Sequence, residues 1–298
     1  MRHNPLGTQG GRERALEEVR FDHQGVLLVG DRIALPGAPL VILSPGGGQT
    51  RHSWRGAAPR IAELGFEVIS LDLRGHGDSG RAAGHYHLSD FAADIVAVVA
   101  AYRAGRPVAL VGASLGGLAS LVAAGDPGAG IDLLAMIDVV PRVEPAGALR
   151  IRSFMESHPD GFDTIEDAAR AVGSYRGKVE QDYAGLARNL RTSDSGKLVW
   201  HWDPAFLSRK PIWPERIKLL EDAAARYRRP LLLVRGLQSD VVSDAGIAAL
   251  RALTPQLVEA DVARSGHMVV GDRNEAFLDA ISAFLREHLA GVPAASGN

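Results

Sequence analysis

The sequence predicts an α/β protein: a mostly parallel sheet with helices on both faces and an inserted, mainly helical cap. Three observations predict it. Short apolar or β-branched runs alternate with longer helical patterns, as βαβ units require. Two runs, PVALVG at 107–112 and PLLLVR at 230–235, are almost wholly apolar, as strands covered on both faces should be. Residues 142–214 then break the rhythm with a stretch rich in Arg, Asp and aromatic residues.

In chain order, residues 1–18 are polar and Gly-rich and read as a flexible arm. Strands are expected at Gly25–Val29, Leu40–Leu43, Glu67–Leu71, Val108–Val111, Leu133–Ile137, Leu231–Val234 and Leu257–Val262. Helices are expected at Ser53–Leu64, Ser89–Ala104, Leu115–Ala124 and Asn274–Leu289, with Ser89 or Asp90 as N-cap of the second. Residues 19–141 and 215–290 make the core domain. The segment 142–214 lacks a convincing buried strand and is the cap, placed over the carboxyl ends of the strands, where open α/β sheets bind ligands. The tail 291–298, GVPAASGN, reads as disordered.

Composition narrows the function classes. With no cysteine, thiolate catalysis, disulfides and Cys-ligated zinc are excluded, and a reducing compartment fits. A net charge of −2 gives no electrostatic reason to expect nucleic acid or an anionic membrane as partner. No run of 18 apolar residues exists, and the N-terminus lacks the apolar stretch of a signal peptide. The chain is expected to be cytoplasmic, with a small-molecule ester as its partner and a monomer or homodimer as its state.

The strongest local signal is Gly112-Ala113-Ser114-Leu115-Gly116-Gly117, directly after an apolar strand and opening an Ala/Leu-rich helix. A serine hydroxyl is a poor nucleophile unless held exposed beside a base. Small residues around a tight strand-to-helix turn provide the exposure, and the helix N-terminus adds positive potential where an oxyanion forms. The glycine run Pro45-Gly46-Gly47-Gly48-Gln49 also follows an apolar strand. Its expected role is to supply the Gly47 amide, with that of Leu115, as the oxyanion hole. No G-K-[ST] follows, so a phosphate loop is not supported.

The order of partners completes the pattern: after the serine, an acid past a later strand, then a histidine. Ser239-Asp240 follows LLLVRG, and Gly266-His267-Met268 follows LVEADV, each delivered to the same edge of the sheet. His267 is the expected base and Asp240 the expected acid. Asp138, which ends LLAMI, competes for the acid role. Asp72–Ser79 (DLRGHGDS) reads as a hydrogen-bonded structural loop, and His76 within it lies upstream of Ser114, against the expected order. In the cap, WHWDPAF (200–206) is aromatic enough to wall a pocket; Gly48, Trp200 and Trp202 are the candidate substrate-binding residues, with cap packing as the equal alternative for the rings.

Five blocks, GGGQTRHSW (46–54), DLRGHGDSG (72–80), GASLGG (112–117), RGLQSDVVS (235–243) and SGHMVVGDRNEAF (265–277), together resemble the α/β-hydrolase superfamily over nearly all of residues 20–290. The likeness is to capped bacterial hydrolases of the esterase, epoxide hydrolase and cofactor-free peroxidase type. Pro45 stands where that family usually has histidine. Epoxide hydrolases and haloalkane dehalogenases of this fold need a carboxylate where this chain has Ser114, so the resemblance implies acyl transfer through an acyl-enzyme, without cofactor or metal. The implied substrate is a hydrophobic, small to medium monoester or lactone. A C–C bond hydrolase on the same triad and a non-catalytic small-molecule receptor are the alternatives.

Overall fold

The computed structural model describes residues 15–177, 181–208, 213–263, 265–267 and 275–289. Ten strands and nine α-helices are described in it: β1 Leu16–His23, β2 Val26–Ile33, β3 Leu40–Ser44, α1 Ala57–Glu63, β4 Glu67–Leu71, α2 Leu88–Tyr102, β5 Val108–Ala113, α3 Leu115–Ala124, β6 Leu133–Ile137, α4 Pro145–Glu156, α5 Ile165–Arg176, α6 Tyr183–Ala187, β7 Leu190–Thr192, β8 Leu198–Trp200, α7 Trp213–Arg226, β9 Leu231–Gly236, α8 Asp244–Leu253, β10 Leu257–Val262 and α9 Glu275–Leu289.

Eight strands form one sheet in the order β1-β2-β4-β3-β5-β6-β9-β10. The β1–β2 and β2–β4 pairs are antiparallel, and every pair from β4 to β10 is parallel. From β3 the chain runs to β4 on one side and then to β5 on the other. This reversal opens a crevice at the carboxyl ends of β3 and β5, the place where such sheets bind ligands.

The central strands β3, β4, β5, β6 and β9 read as largely apolar runs because both faces are covered. In β3, Leu40 and Ile42 join the core beneath α2, α3 and α7, while Val41 and Leu43 join the opposite core beneath α1 and α9. Each fully buried Leu, Ile or Val here contributes about 1.5–3 kcal/mol.

Several local expectations change. β1 was not foreseen: its LEEVRFDH pattern is polar and half-exposed, with Val19 and Phe21 turned toward the core. Leu16–Glu18 therefore belong to the sheet rather than to the arm; residues 1–14 and the expected tail at 291–298 lie outside the described residues. The helix expected at Ser53–Leu64 divides into a 3₁₀ turn at Arg51–Trp54 and α1. The N-cap of α2 is His87, and Asp90 sits at N3, where its carboxylate accepts the His87 N–H at 2.8 Å. α7 and α8 were not anticipated; α7 carries a narrow apolar face on a charged helix, whereas α8 is short and Ala/Leu-rich, burying Ile247 and Leu250.

The segment between β6 and α7 contains α4, α5, α6 and the β7–β8 hairpin, which the sequence did not announce. It has its own core of Phe154, Met155, Phe162, Val172, Leu186 and Trp200. Backbone hydrogen bonds tie it to the sheet's carboxyl-end loops: Gly77 N–H to His201 O at 2.8 Å, and Asp203 N–H to Gly75 O at 2.7 Å. Asn189 adds a side-chain tie, accepting the Thr50 N–H at 3.1 Å. These bonds tie the insertion to the loops that follow β3 and β4.

Candidate active site

Ser114 ends the turn between β5 and α3 with φ 46° and ψ −115°, a conformation that non-glycine residues rarely adopt. The glycines around it are required by contact. A Cβ on Gly112 would overlap the Gly116 carbonyl, and one on Gly116 would overlap the Ser44 and Pro45 carbonyls of the neighbouring loop. The Ser114 hydroxyl does not cap its own helix and is left for another partner.

That partner is His267. Ser114 Oγ lies 3.1 Å from His267 Nε2, and His267 Nδ1 lies 2.8 Å from Asp138 Oδ2. With Nδ1–H donating to the carboxylate, Nε2 is free to accept the serine proton. Asp138 is fully buried at the end of β6 and also carries a positive φ, 50°. Its Oδ1 accepts the Gly236 N–H at 3.0 Å and its Oδ2 the Ser239 hydroxyl at 2.8 Å. The loop bearing His267 is held by the one after β9, through Gln238 N–H to Ser265 O at 2.9 Å.

The expected acid, Asp240, is displaced from this chain of hydrogen bonds. Its Oδ2 pairs with Arg150 of cap helix α4 at 2.6 Å. The loop after β9 turns so that Ser239, one residue earlier, faces the site and buttresses Asp138. β6 and β9 are adjacent and end at the same edge, but Asp138 directly follows β6 and is buried, whereas Asp240 lies four residues past β9 and is partly exposed.

Gly47 and Leu115 lie side by side. A Cβ on Gly47 would meet Leu115 Cδ2 at 3.6 Å, and neither amide has a protein acceptor among the described residues. The loop around Gly47 faces the cap through apolar groups. The Gly47 position abuts the Phe206 ring, and Gly48, at φ 81°, abuts Met155 Cε and the Trp202 ring. Both tryptophans are buried in the insertion's core, the packing alternative: Trp202 reaches the Gly48 position, and Trp200 stacks behind it with ring centroids 4.9 Å apart, packed edge-on by Phe154 and Phe162. Phe206 closes the WHWDPAF stretch expected to wall a pocket; Met155 was missed because nothing in a linear pattern reports which side chains of the insertion reach a distant loop.

The Asp72–Ser79 loop is structural, as its glycines suggest. Arg51, nearly buried, is its hub: it reaches Asp72 at 2.5 Å, Asp78 at 2.6 Å and Asp31 at 2.9 Å. Burial works against the guanidinium's charge, yet Asp72, Asp78 and Asp31 hold its pKa above the usual arginine value. Burial likewise raises the Asp72 carboxyl, opposed by Arg51. His76 is completely buried, with Nδ1 3.0 Å from Arg74 O, and burial pushes its pKa down to about 4. It is a neutral packing residue against Phe206, at 5.0 Å between ring centroids.

Comparison with known proteins bears on the fold and the family. The family model of the alpha/beta hydrolase fold matches residues 39–199. An esterase of Mycobacterium tuberculosis, Rv0045c, is 29% identical over 261 residues, covering 83% of each chain. A 2-(acetamidomethylene)succinate hydrolase of Mesorhizobium japonicum is 27% identical over 223 residues, covering 74% of this chain and 78% of that one. Among solved structures, an alpha/beta hydrolase from Novosphingobium aromaticivorans superimposes with TM-score 0.73 at 27% identity, covering 93% of this chain and 99% of that one. The E-2-(acetamidomethylene)succinate hydrolase structure, at 24% identity and TM-score 0.78 over 91% of this chain and 99% of that one, shares the fold. No helix among the described residues is long and apolar enough to cross a membrane. The fold, the strand-to-helix serine turn and the family match together place this chain in the alpha/beta hydrolase family.

Proposed function

We propose that the protein is a serine hydrolase of carboxylic esters, with Ser114 as nucleophile, His267 as general base and Asp138 as the acid that orients it. The observation that carries this reading is the continuous hydrogen-bonded chain Ser114 Oγ–His267–Asp138. His267 Nε2 takes the Ser114 proton as Oγ attacks the ester carbonyl, and Asp138 stabilises the imidazolium. The carbonyl oxygen becomes an oxyanion, received by the Gly47 and Leu115 amides. Collapse expels the alkoxide, which takes the proton from His267 and leaves as the alcohol. Water, deprotonated by His267, then adds to the acyl-enzyme, and the acid leaves as Ser114 regains its proton.

The residues around Gly47 and Gly48 support an apolar, small to medium monoester or lactone. Phe206 and Leu115, partly exposed beside Gly47 and backed by the buried Met155 and Trp202, offer ring and hydrocarbon surface there, which favours a substrate without charge near the scissile bond. The likeness to the Mycobacterium tuberculosis esterase points the same way.

Fluorophosphonate labelling of wild type, Ser114→Ala and His267→Ala tests the reading, together with a p-nitrophenyl ester series of increasing chain length. Stoichiometric labelling of wild type alone, with ester turnover lost in Ser114→Ala, is the expected result. A folded wild type that takes no label overturns the nucleophile assignment. Labelling without ester turnover overturns the hydrolase reading in favour of a binding role.

A further inference from the structure

Gln49 closes the glycine loop beside Ser114 and is 1% exposed. Its backbone N–H donates to Gly46 O at 3.1 Å, and its side-chain Oε1 accepts the Gly46 N–H at 3.0 Å. These two bonds act on different peptide planes. Gly46 O belongs to the 46–47 peptide, in which the carbonyl and the Gly47 N–H point in opposite directions. Holding the carbonyl therefore fixes the heading of the Gly47 N–H. The Gly46 N–H belongs to the 45–46 peptide, whose other end, Pro45 O, accepts the Gly116 N–H at 3.1 Å. The 45–46 plane is thus pinned at one end by the serine turn and at the other by the Gln49 side chain. Gly46 lies beside the nucleophile's residue: a Cβ built on it would come within 3.5 Å of Ser114 Cβ.

Any residue supplies the backbone bond, but the side-chain bond needs an acceptor of this length. The arrangement carries a cost, because Gln49 Nε2 is buried with no partner among the described residues. An unmet buried donor costs roughly 1–3 kcal/mol. An apolar side chain would avoid that cost but leave the buried Gly46 N–H unmet in its place, a penalty of the same size, so stability by itself does not select a glutamine here.

We propose that Gln49 is a positioning residue for the reaction: by fixing the two peptide planes around Gly46 it aims the Gly47 amide at the oxyanion formed on the Ser114 adduct. This rests on the ester-hydrolase reading above. It acts on the transition state, so its removal should lower kcat and leave KM nearly unchanged. Misplacing a catalytic donor by about 1 Å can cost about 10²-fold in rate.

The experiment compares wild type, Gln49→Met and Gln49→Glu on a short-chain p-nitrophenyl ester. It adds the inhibition constants of an alkyl boronic acid, which mimics the tetrahedral adduct, and of the matching neutral amide, which mimics bound substrate. For Gln49→Met we expect kcat down about 10²-fold, KM within about three-fold, boronate affinity reduced in parallel and amide affinity unchanged. Gln49→Glu keeps an acceptor for the Gly46 N–H and should stay within about 10-fold of wild type at pH 6. It is read against wild type if the methionine variant does not fold. The proposal is overturned if Gln49→Met keeps wild-type kcat, if its loss lies in KM with boronate affinity intact, or if Gln49→Glu falls by 10²-fold. Labelling of wild type that vanishes in Ser114→Ala, measured alongside, separates failure of this inference from failure of the hydrolase reading.

Discussion

Asp138 and His267, 129 residues apart in the chain, meet in a 2.8 Å hydrogen bond, with the carboxylate fully buried at the end of β6. Asp240, in the loop after β9, pairs instead with Arg150 of the cap. The two aspartates should therefore respond differently to the same change. Asp138→Asn removes the charge and disturbs the imidazole tautomer, and kcat on a p-nitrophenyl ester should fall by about 10³–10⁴. Asp240→Asn should stay within a few-fold, since a half-exposed ion pair contributes little. Equal losses in the two variants would refute the assignment.

The Arg51 hub is a matter of stability. Arg51→Met leaves Asp72, 1% exposed, with no cation beside it. Breaking a buried pair from one side typically costs about 3–5 kcal/mol. Urea unfolding at pH 7 should show a loss of that order, and a change below about 1 kcal/mol would mean that the pair behaves as a surface one.

Burial lowers the pKa of His76 to about 4 from an ordinary 6.5. The unfolded chain then binds more protons than the folded one between those values. The sign follows: stability is full above about pH 6.5 and is lost as pH falls toward 4, with a slope of at most about 1.4 kcal/mol per pH unit. His76→Phe should flatten that part of the curve, read as Tm against pH. An unchanged slope would show that His76 is not buried neutral.

Gly116→Ala tests the close approach of the serine turn to the β3 loop. Its methyl group would overlap two backbone carbonyls, which have little freedom to withdraw. We expect a lower Tm and a sharp loss of ester turnover together, because the same contact holds the Pro45 carbonyl on the Gly116 amide. A variant with wild-type Tm and rate would show that the turn has slack.

The parts of the molecule legible in the sequence are those in which one residue's type is dictated by its immediate neighbours. The buried parallel strands are apolar because both faces are covered, and the glycines at 112, 116 and 117 stand where backbone meets backbone. Ser114 and His267 follow from their places at strand ends. The choice between Asp138 and Asp240 was not legible, because both follow strands at the same edge and only the path of the loop after β9 decides which one faces the histidine. Gln49 and Ser239 gave no linear signal, since their partners are a turn amide and a residue about a hundred positions away. β1 went unseen because an edge strand half in solvent keeps its charged residues. Which of Trp200 and Trp202 reaches the Gly48 position depends on how the two stacked rings sit in the insertion's core.

Ser114 and Asp138 end adjacent strands, and both hold positive φ angles without being glycine. A residue kept in such a conformation costs on the order of 1–3 kcal/mol, which the surrounding packing must offset. Activity and durability therefore pull against each other at these two positions. Ser114→Gly should abolish turnover and yet melt above the wild type, in a thermal scan of the two proteins side by side. A selection for heat resistance alone would drift toward inactive proteins here, and attempts to harden this enzyme should leave both strand ends untouched and work elsewhere.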